Sequence, residues 1–130
     1  QEIPPKYQPI RFALTDRQRQ TLYDRIDRRV DAMVGAGLME EIQGLLARGI
    51  PEKCTAMQAI GYKEFAAALH GACSLEEAAR QVKQSSRRYA KRQLTWFRRN
   101  PENIWLIRED GQTSMEILES TRQYLRDFDK

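Results

Sequence analysis

The amino-acid sequence predicts a mostly α-helical fold with two short strands, the closing part of an α/β protein whose main sheet lies upstream. Three observations point there. Apolar residues recur every three or four positions through most of the chain, the period of a helix with one buried face. Only two runs, 10–14 and 103–107, read as strands, and two strands so far apart in sequence do not make a stable sheet by themselves. The 130 residues and 41% apolar content suit one domain, or one part of a larger one, with a modest core. A small helical domain with the two strands paired on its side is the alternative.

Pro4, Pro5 and Pro9 keep residues 1–9 out of a helix, so this stretch is an extended lead-in to a strand at 10–14. Thr15 or Asp16 is placed to cap the first helix, whose apolar positions Leu22, Ile26, Val30 and Met33, with Tyr23 beside them, form one face. Gly35 and Gly37 end it. A second helix over 38–48 buries Leu38, Ile42, Leu45 and Leu46 and stops at Gly49, with Pro51 close behind. After the loop 50–54, a third helix starts within 55–58 and reaches Leu69. Gly61 inside it costs about 1 kcal/mol, so something other than helix propensity favours glycine there. Gly71 closes that segment, and Ser74-Leu-Glu-Glu77 is a capping box opening a fourth helix that meets no breaker before Asn100-Pro101. The strand 103–107 and the Asp110-Gly111 turn precede a terminal helix, 114–128, with Ile117, Leu118, Tyr124, Leu125 and Phe128 turned inward.

Residues 80–99 carry eight basic side chains and no acidic one, whereas the rest of the chain holds 14 Lys and Arg against 18 Asp and Glu. The net charge of +4 is therefore one local positive field, the footprint of a protein that meets phosphates or nucleic acid. At about 100° per residue, with Arg87 at zero, Arg80, Lys83, Arg88, Lys91, Arg92, Arg98 and Arg99 fall within about −40° to 140°. Leu75, Ala78, Ala79, Val82, Tyr89, Ala90, Trp96 and Phe97 fall on the other side, which reads as core. Gln84 lies in the basic arc; Gln93 sits in the apolar arc and needs a buried partner there, while Leu94 fits neither set. A solvated helix face normally mixes signs, because i,i+4 pairs of opposite charge stabilise it. This one lacks them, which points to a polyanion, to carboxylates supplied by a missing part, or to both. Arginine outnumbers lysine six to two in the window, favouring bidentate phosphate contacts, which position a nucleic acid without reading its sequence. Charge alone chooses neither between RNA and DNA nor between a binding module and part of an enzyme.

Other classes recede. Cys54 and Cys73 are too few for a disulfide framework or a metal site and suit a reducing compartment. No apolar run reaches membrane-spanning length and no secretion signal opens the chain, so the expected location is cytoplasmic. His70 lacks a ligand or nucleophile partner at useful spacing and reads as a helix-end residue near Gly71.

Two segments, Ala59-Ile-Gly-Tyr-Lys-Glu64 and Arg87-Arg-Tyr-Ala-Lys-Arg-Gln-Leu-Thr-Trp-Phe-Arg98, closely resemble the C-terminal signatures of bacterial tRNA dimethylallyltransferases, also called tRNA isopentenyltransferases. The resemblance continues through Leu22-Tyr-Asp-Arg-Ile-Asp-Arg-Arg-Val-Asp-Ala-Met33, Gly37-Leu-Met-Glu-Glu41 and Thr55-Ala-Met-Gln58, in that family's order and spacing, and covers 10–107. It implies a P-loop-type, nucleotide-kinase-like α/β core. It also implies transfer of a dimethylallyl group from dimethylallyl diphosphate to N6 of adenosine 37 in tRNA, next to the anticodon of tRNAs that read codons starting with U. Magnesium is the implied cofactor, its ligands outside this segment. The family's phosphate-cradling loop, its general-base aspartate and a helical insertion that grips the anticodon stem lie upstream of the matched region. No Gly-x-x-x-x-Gly-Lys-Ser/Thr occurs here. The whole chain, 1–130, is thus expected to be the C-terminal portion of the catalytic core, with a lead-in at 1–9 and a terminal helix at 114–128. It holds no catalytic residue or metal ligand of its own, is inactive alone, and works with the missing N-terminal P-loop part of the same protein.

Residue roles follow from the resemblance only where motifs match. Arg29 stands where the family keeps an arginine on the donor's diphosphate. The loop 51–58 and the helix segment 84–91 match segments that touch tRNA around the target adenosine. The expected tRNA-binding residues are Lys53, Thr55, Gln58, Gln84, Arg87, Arg88, Lys91 and Arg92, with the anticodon stem-loop as partner. Tyr89 and Trp96 could stack on a base, but their place on the apolar arc makes core packing the expectation. Tyr62 and Lys63 are matched without an assigned role. A stand-alone helical RNA-binding module is the alternative.

Overall fold

The computed structural model describes residues 6–128, so the expected lead-in over 1–9 lies partly outside the described residues. The elements are β1 (Phe12–Asp16), α1 (Arg19–Gly35), α2 (Leu38–Ala47), a short 3-10 turn (Thr55–Gln58), α3 (Tyr62–Leu69), α4 (Leu75–Arg98), β2 (Ile104–Arg108) and α5 (Ser114–Phe128). They fall into two compact units. One spans Tyr23–Lys91; the other joins the residues up to Leu22 with those from Arg92 onward.

The Tyr23–Lys91 unit holds the main core. Val30 of α1, Leu38 and Ile42 of α2, Met57, Phe65 and Ala66 of α3, and Ala78 and Val82 of α4 form one buried cluster, with Met33, Leu45 and Leu46 packed against it. These are largely the positions the helical period marks. The expected single helix from 55 to 69 is instead two pieces. Ala59 is extended, and Gly61 adopts φ +107°, a left-handed conformation open to glycine and strained for other residues. Gly61 is therefore the cap of α3 and not an interior residue, which is what makes glycine favourable there. The Glu64 carboxylate, itself buried, accepts the Gly61 backbone N–H at 2.8 Å. One donor that a helix start leaves orphaned is thereby satisfied. At α4, Ser74 Oγ accepts the Glu77 N–H at 3.0 Å, the forward half of the expected capping box.

In the other unit, β1 and β2 pair with each other in parallel, Phe12 opposite Ile104 through Asp16 opposite Arg108. The pairing expected as the alternative is the one observed. The first strand lies two residues later than expected, so Thr15 and Asp16 belong to β1 and cap no helix; α1 starts at Arg19, where Thr21 N donates to Gln18 O at 3.1 Å. Arg17 Nε reaches both Glu109 oxygens at 2.7 and 2.9 Å, holding the Glu109 carboxyl below the ordinary carboxylate range. Phe12 meets Tyr124 of α5 edge to face, 5.7 Å between centroids. No residue of α5 is buried. Leu118, Tyr124, Leu125 and Phe128, expected to turn inward, are exposed, because a two-stranded sheet is too narrow to cover a helix of four turns.

Candidate nucleic-acid interface

Helix α4 carries the basic stripe, and in the Tyr23–Lys91 unit α1 faces it with carboxylates. Arg87 Nη1 donates to both Asp27 oxygens at 2.8 Å, and Lys83 Nζ pairs with Asp31 Oδ1 at 2.8 Å. Within α4, Arg80 Nε and Nη2 donate to Glu77 at 2.9 and 2.5 Å. Those bonds, with a third from Gln81, hold the Glu77 carboxyl at about 2. The expectation of an uncompensated stripe is thus corrected: Asp27 and Asp31 of this same chain neutralise part of it. The face of α4 alone does not reveal them, because they belong to another helix. The signal was present, since Asp27 and Asp31 recur at i,i+4 on α1, as Lys83 and Arg87 do on α4.

The remaining cations differ. Arg88, Arg98 and Arg99 are exposed and make no ion pair among the described residues. Lys91 and Arg92 are exposed and interact within the chain. Arg87 is about two-thirds covered; its side chain is 32% exposed, as is that of Asp27. Gln84 is half-buried.

The apolar arc of α4 is buried only at Ala78 and Val82, and Leu75 at its start, expected in the core, is exposed. Ala78 and Val82 are buried, but Tyr89, Trp96 and Phe97 are exposed, as is Gln93, while Leu94, which fitted neither set, is buried. Core packing for Tyr89 and Trp96 is therefore corrected to exposure. Amphipathic spacing identifies an apolar face but not whether anything covers it. Trp96 and Phe97, edge to face at 5.4 Å, line an open cleft of about 560 Å³ with Arg11, Arg99, Asn100 and Asn103.

The loop 51–58 is built to hold its shape. Met57 is buried as its anchor, Cys54 N donates to Pro51 O at 3.1 Å and Met57 N to Cys54 O at 3.1 Å. Gln58 Nε2 donates to Glu52 O at 2.8 Å, so this expected RNA contact also braces the loop. His70, which ends α3 as expected, pairs with Glu52 Oε1, a partner the sequence did not reveal. Lys53 and Thr55 are exposed on this braced turn. Cys54 and Cys73 are half-buried free thiols.

Tyr62 gains a role: its hydroxyl donates to Glu41 Oε1 at 2.9 Å, tying α3 to α2, and that bond raises the phenol's pKa. Lys63 is exposed. Arg29 lies exposed on α1 beside buried Val30, with no side-chain partner among the described residues. Among those residues no group of three or more His, Cys, Asp or Glu is arranged to hold a metal ion. Nor is any helix among them long and apolar enough to cross a membrane.

A family model described as IPP transferase matches residues 1–100. This chain belongs to the IPP transferase family. The chain is 46% identical over 121 residues to a tRNA dimethylallyltransferase of Thermoanaerobacter sp. (strain X514), covering 93% of this chain and 38% of that protein. It is 51% identical over 106 residues to the tRNA dimethylallyltransferase of Desulforudis audaxviator, covering 82% and 34%. The crystal structure of full-length tRNA isopentenylpyrophosphate transferase from Bacillus halodurans superposes with a TM-score of 0.79 at 46% identity, covering 89% of this chain and 38% of that one. That of the Staphylococcus epidermidis tRNA delta(2)-isopentenylpyrophosphate transferase gives 0.83 at 38% identity, covering 94% and 39%. The chain thus spans about two-fifths of the length of the first two structures and of the Thermoanaerobacter relative.

Proposed function

We propose that this chain is the C-terminal part of a cytoplasmic enzyme that transfers a dimethylallyl group from dimethylallyl diphosphate to N6 of adenosine 37 in tRNA. The observation that carries the reading is 46% identity across 93% of the chain to a tRNA dimethylallyltransferase, joined to exposed arginines on α4. Lys53 and Thr55 on the braced loop, with Gln58, Gln84, Arg87, Arg88, Lys91 and Arg92, contribute to the grip on the anticodon stem-loop. Backbone phosphates are held by guanidinium and ammonium groups, while the target base leaves its stack to reach the donor. Arg29 meets the diphosphate and stabilises the charge that gathers on the leaving group as its carbon–oxygen bond breaks. The P-loop core, the general base and any magnesium belong to the N-terminal part of the full-length protein, and this chain alone transfers nothing.

Kinetics of the full-length enzyme test the assignment. Arg29→Ala is expected to lower kcat/KM for dimethylallyl diphosphate about ten-fold or more, the scale of a lost bond between charged groups, with tRNA affinity unchanged. Arg88→Ala is expected to weaken tRNA and leave the donor's KM alone. A loss confined to tRNA binding in Arg29→Ala sinks the diphosphate role. Donor kcat/KM unchanged in Arg29→Ala, together with tRNA affinity lost in Arg88→Ala, leaves this segment the role of a helical RNA-binding module.

A further inference from the structure

We infer that Asp27 is a positioning residue for RNA: it holds the Arg87 guanidinium on α4 in the orientation that meets a backbone phosphate. The inference rests on the proposed tRNA-binding role of Arg87 and goes beyond it. Asp27 engages Arg87 through one nitrogen alone, Nη1 bonding both carboxylate oxygens at 2.8 Å. Nη2 and Nε make no hydrogen bond among the described residues, so the guanidinium keeps donors in the planar fork that matches a phosphate. Both side chains are 32% exposed, which leaves the group accessible while its rotation is restrained. An unrestrained arginine loses rotamer entropy when it grips a ligand; one already pinned by a carboxylate loses less. Like Asp31, Asp27 can brace α1 on α4, but a carboxylate beside an RNA-binding cation also repels phosphate, and that cost calls for a gain at the RNA itself. Restraint supplies one.

The neighbouring pair provides a control. Asp31 and Lys83 join the same two helices at 2.8 Å, but Lys83 has no expected RNA role, so Asp31→Asn reports bracing of α1 on α4 alone. In the full-length enzyme, Asp27→Asn is expected to weaken a tRNA anticodon stem-loop about five-fold. It also flattens the slope of log Kd against log salt by up to about one, as loss of a phosphate contact does. Asp27→Glu, which restores the charge, recovers much of the affinity and serves if Asp27→Asn fails to fold. The combined Asp27→Asn, Arg87→Ala enzyme is expected to bind no more weakly than Arg87→Ala alone. Asp31→Asn lowers Tm without changing the salt slope. The inference is overturned by tighter RNA binding in Asp27→Asn, which would make Asp27 a competitor of phosphate. Unchanged affinity with only a lower Tm, or additive losses in the combined enzyme, overturn it equally. Arg87→Ala without effect on RNA removes the underlying reading, an outcome visible independently of Asp27.

Discussion

Gly61 and Glu64 show how much a motif's chemistry can be structural. The Ala59–Glu64 stretch lies next to the loop proposed to meet RNA, yet Glu64 is buried and bonded to the Gly61 N–H at 2.8 Å, while Tyr62 bonds Glu41 at 2.9 Å. Space around Gly61 is open; its φ of +107° alone forbids a side chain. Gly61→Ala is expected to destabilise the protein by about 1 kcal/mol or more, read as a lower urea midpoint at unchanged m-value. Glu64→Ala, which removes the cap, costs a comparable amount, about 0.5–2 kcal/mol. The sequence announced an anomaly at Gly61 because a mid-helix glycine is unfavourable, but the break itself was hidden. Residues 55–69 keep helical apolar spacing across it, and spacing carries no information on φ.

At the scale of elements, α1 and α4 each had their ends legible within a few residues, because glycines and a serine cap punctuate them. Their mutual electrostatics were not legible, because pairing depends on which helix lies alongside. Glu77 is the case that titrates. Its folded value is held at about 2 against the usual 4.5, chiefly by Arg80. A carboxylate so depressed contributes its stability fully above 4.5 and loses it as pH falls from there toward 2. Acid unfolding of Glu77→Gln is therefore expected to show a shallower loss of Tm between pH 4.5 and 2 than the parent protein, with a small difference at neutral pH because the pair is exposed. α5 gave the opposite lesson: its apolar stripe was read correctly and its burial was not, since amphipathicity states a capacity for contact and the described residues offer too little sheet to meet it.

For the whole molecule, the family was legible because separated motifs agree in order, whereas the parallel pairing of β1 with β2 was not, because strands so far apart in sequence carry no local sign of their partner. That pair has two outer edges and exposed Leu14 and Ile107 on its strands, the condition in which a parallel ribbon is weakest. Hydrogen exchange is expected to be fast at outer-edge amides of β1 and β2 in the 130-residue chain and markedly slower in the full-length enzyme, where further strands complete the sheet under the proposed reading. The 130-residue chain is also expected to self-associate with concentration in sedimentation experiments. The exposed indole on α4 has a practical consequence. The chain has two tryptophans, Trp96 at 65% exposure and Trp105 half-buried in β2, so iodide quenching separates a wet fluorophore from a sheltered one. Whatever settles on that helix, polypeptide or ribose-phosphate, will announce its arrival in emission colour without any label being attached.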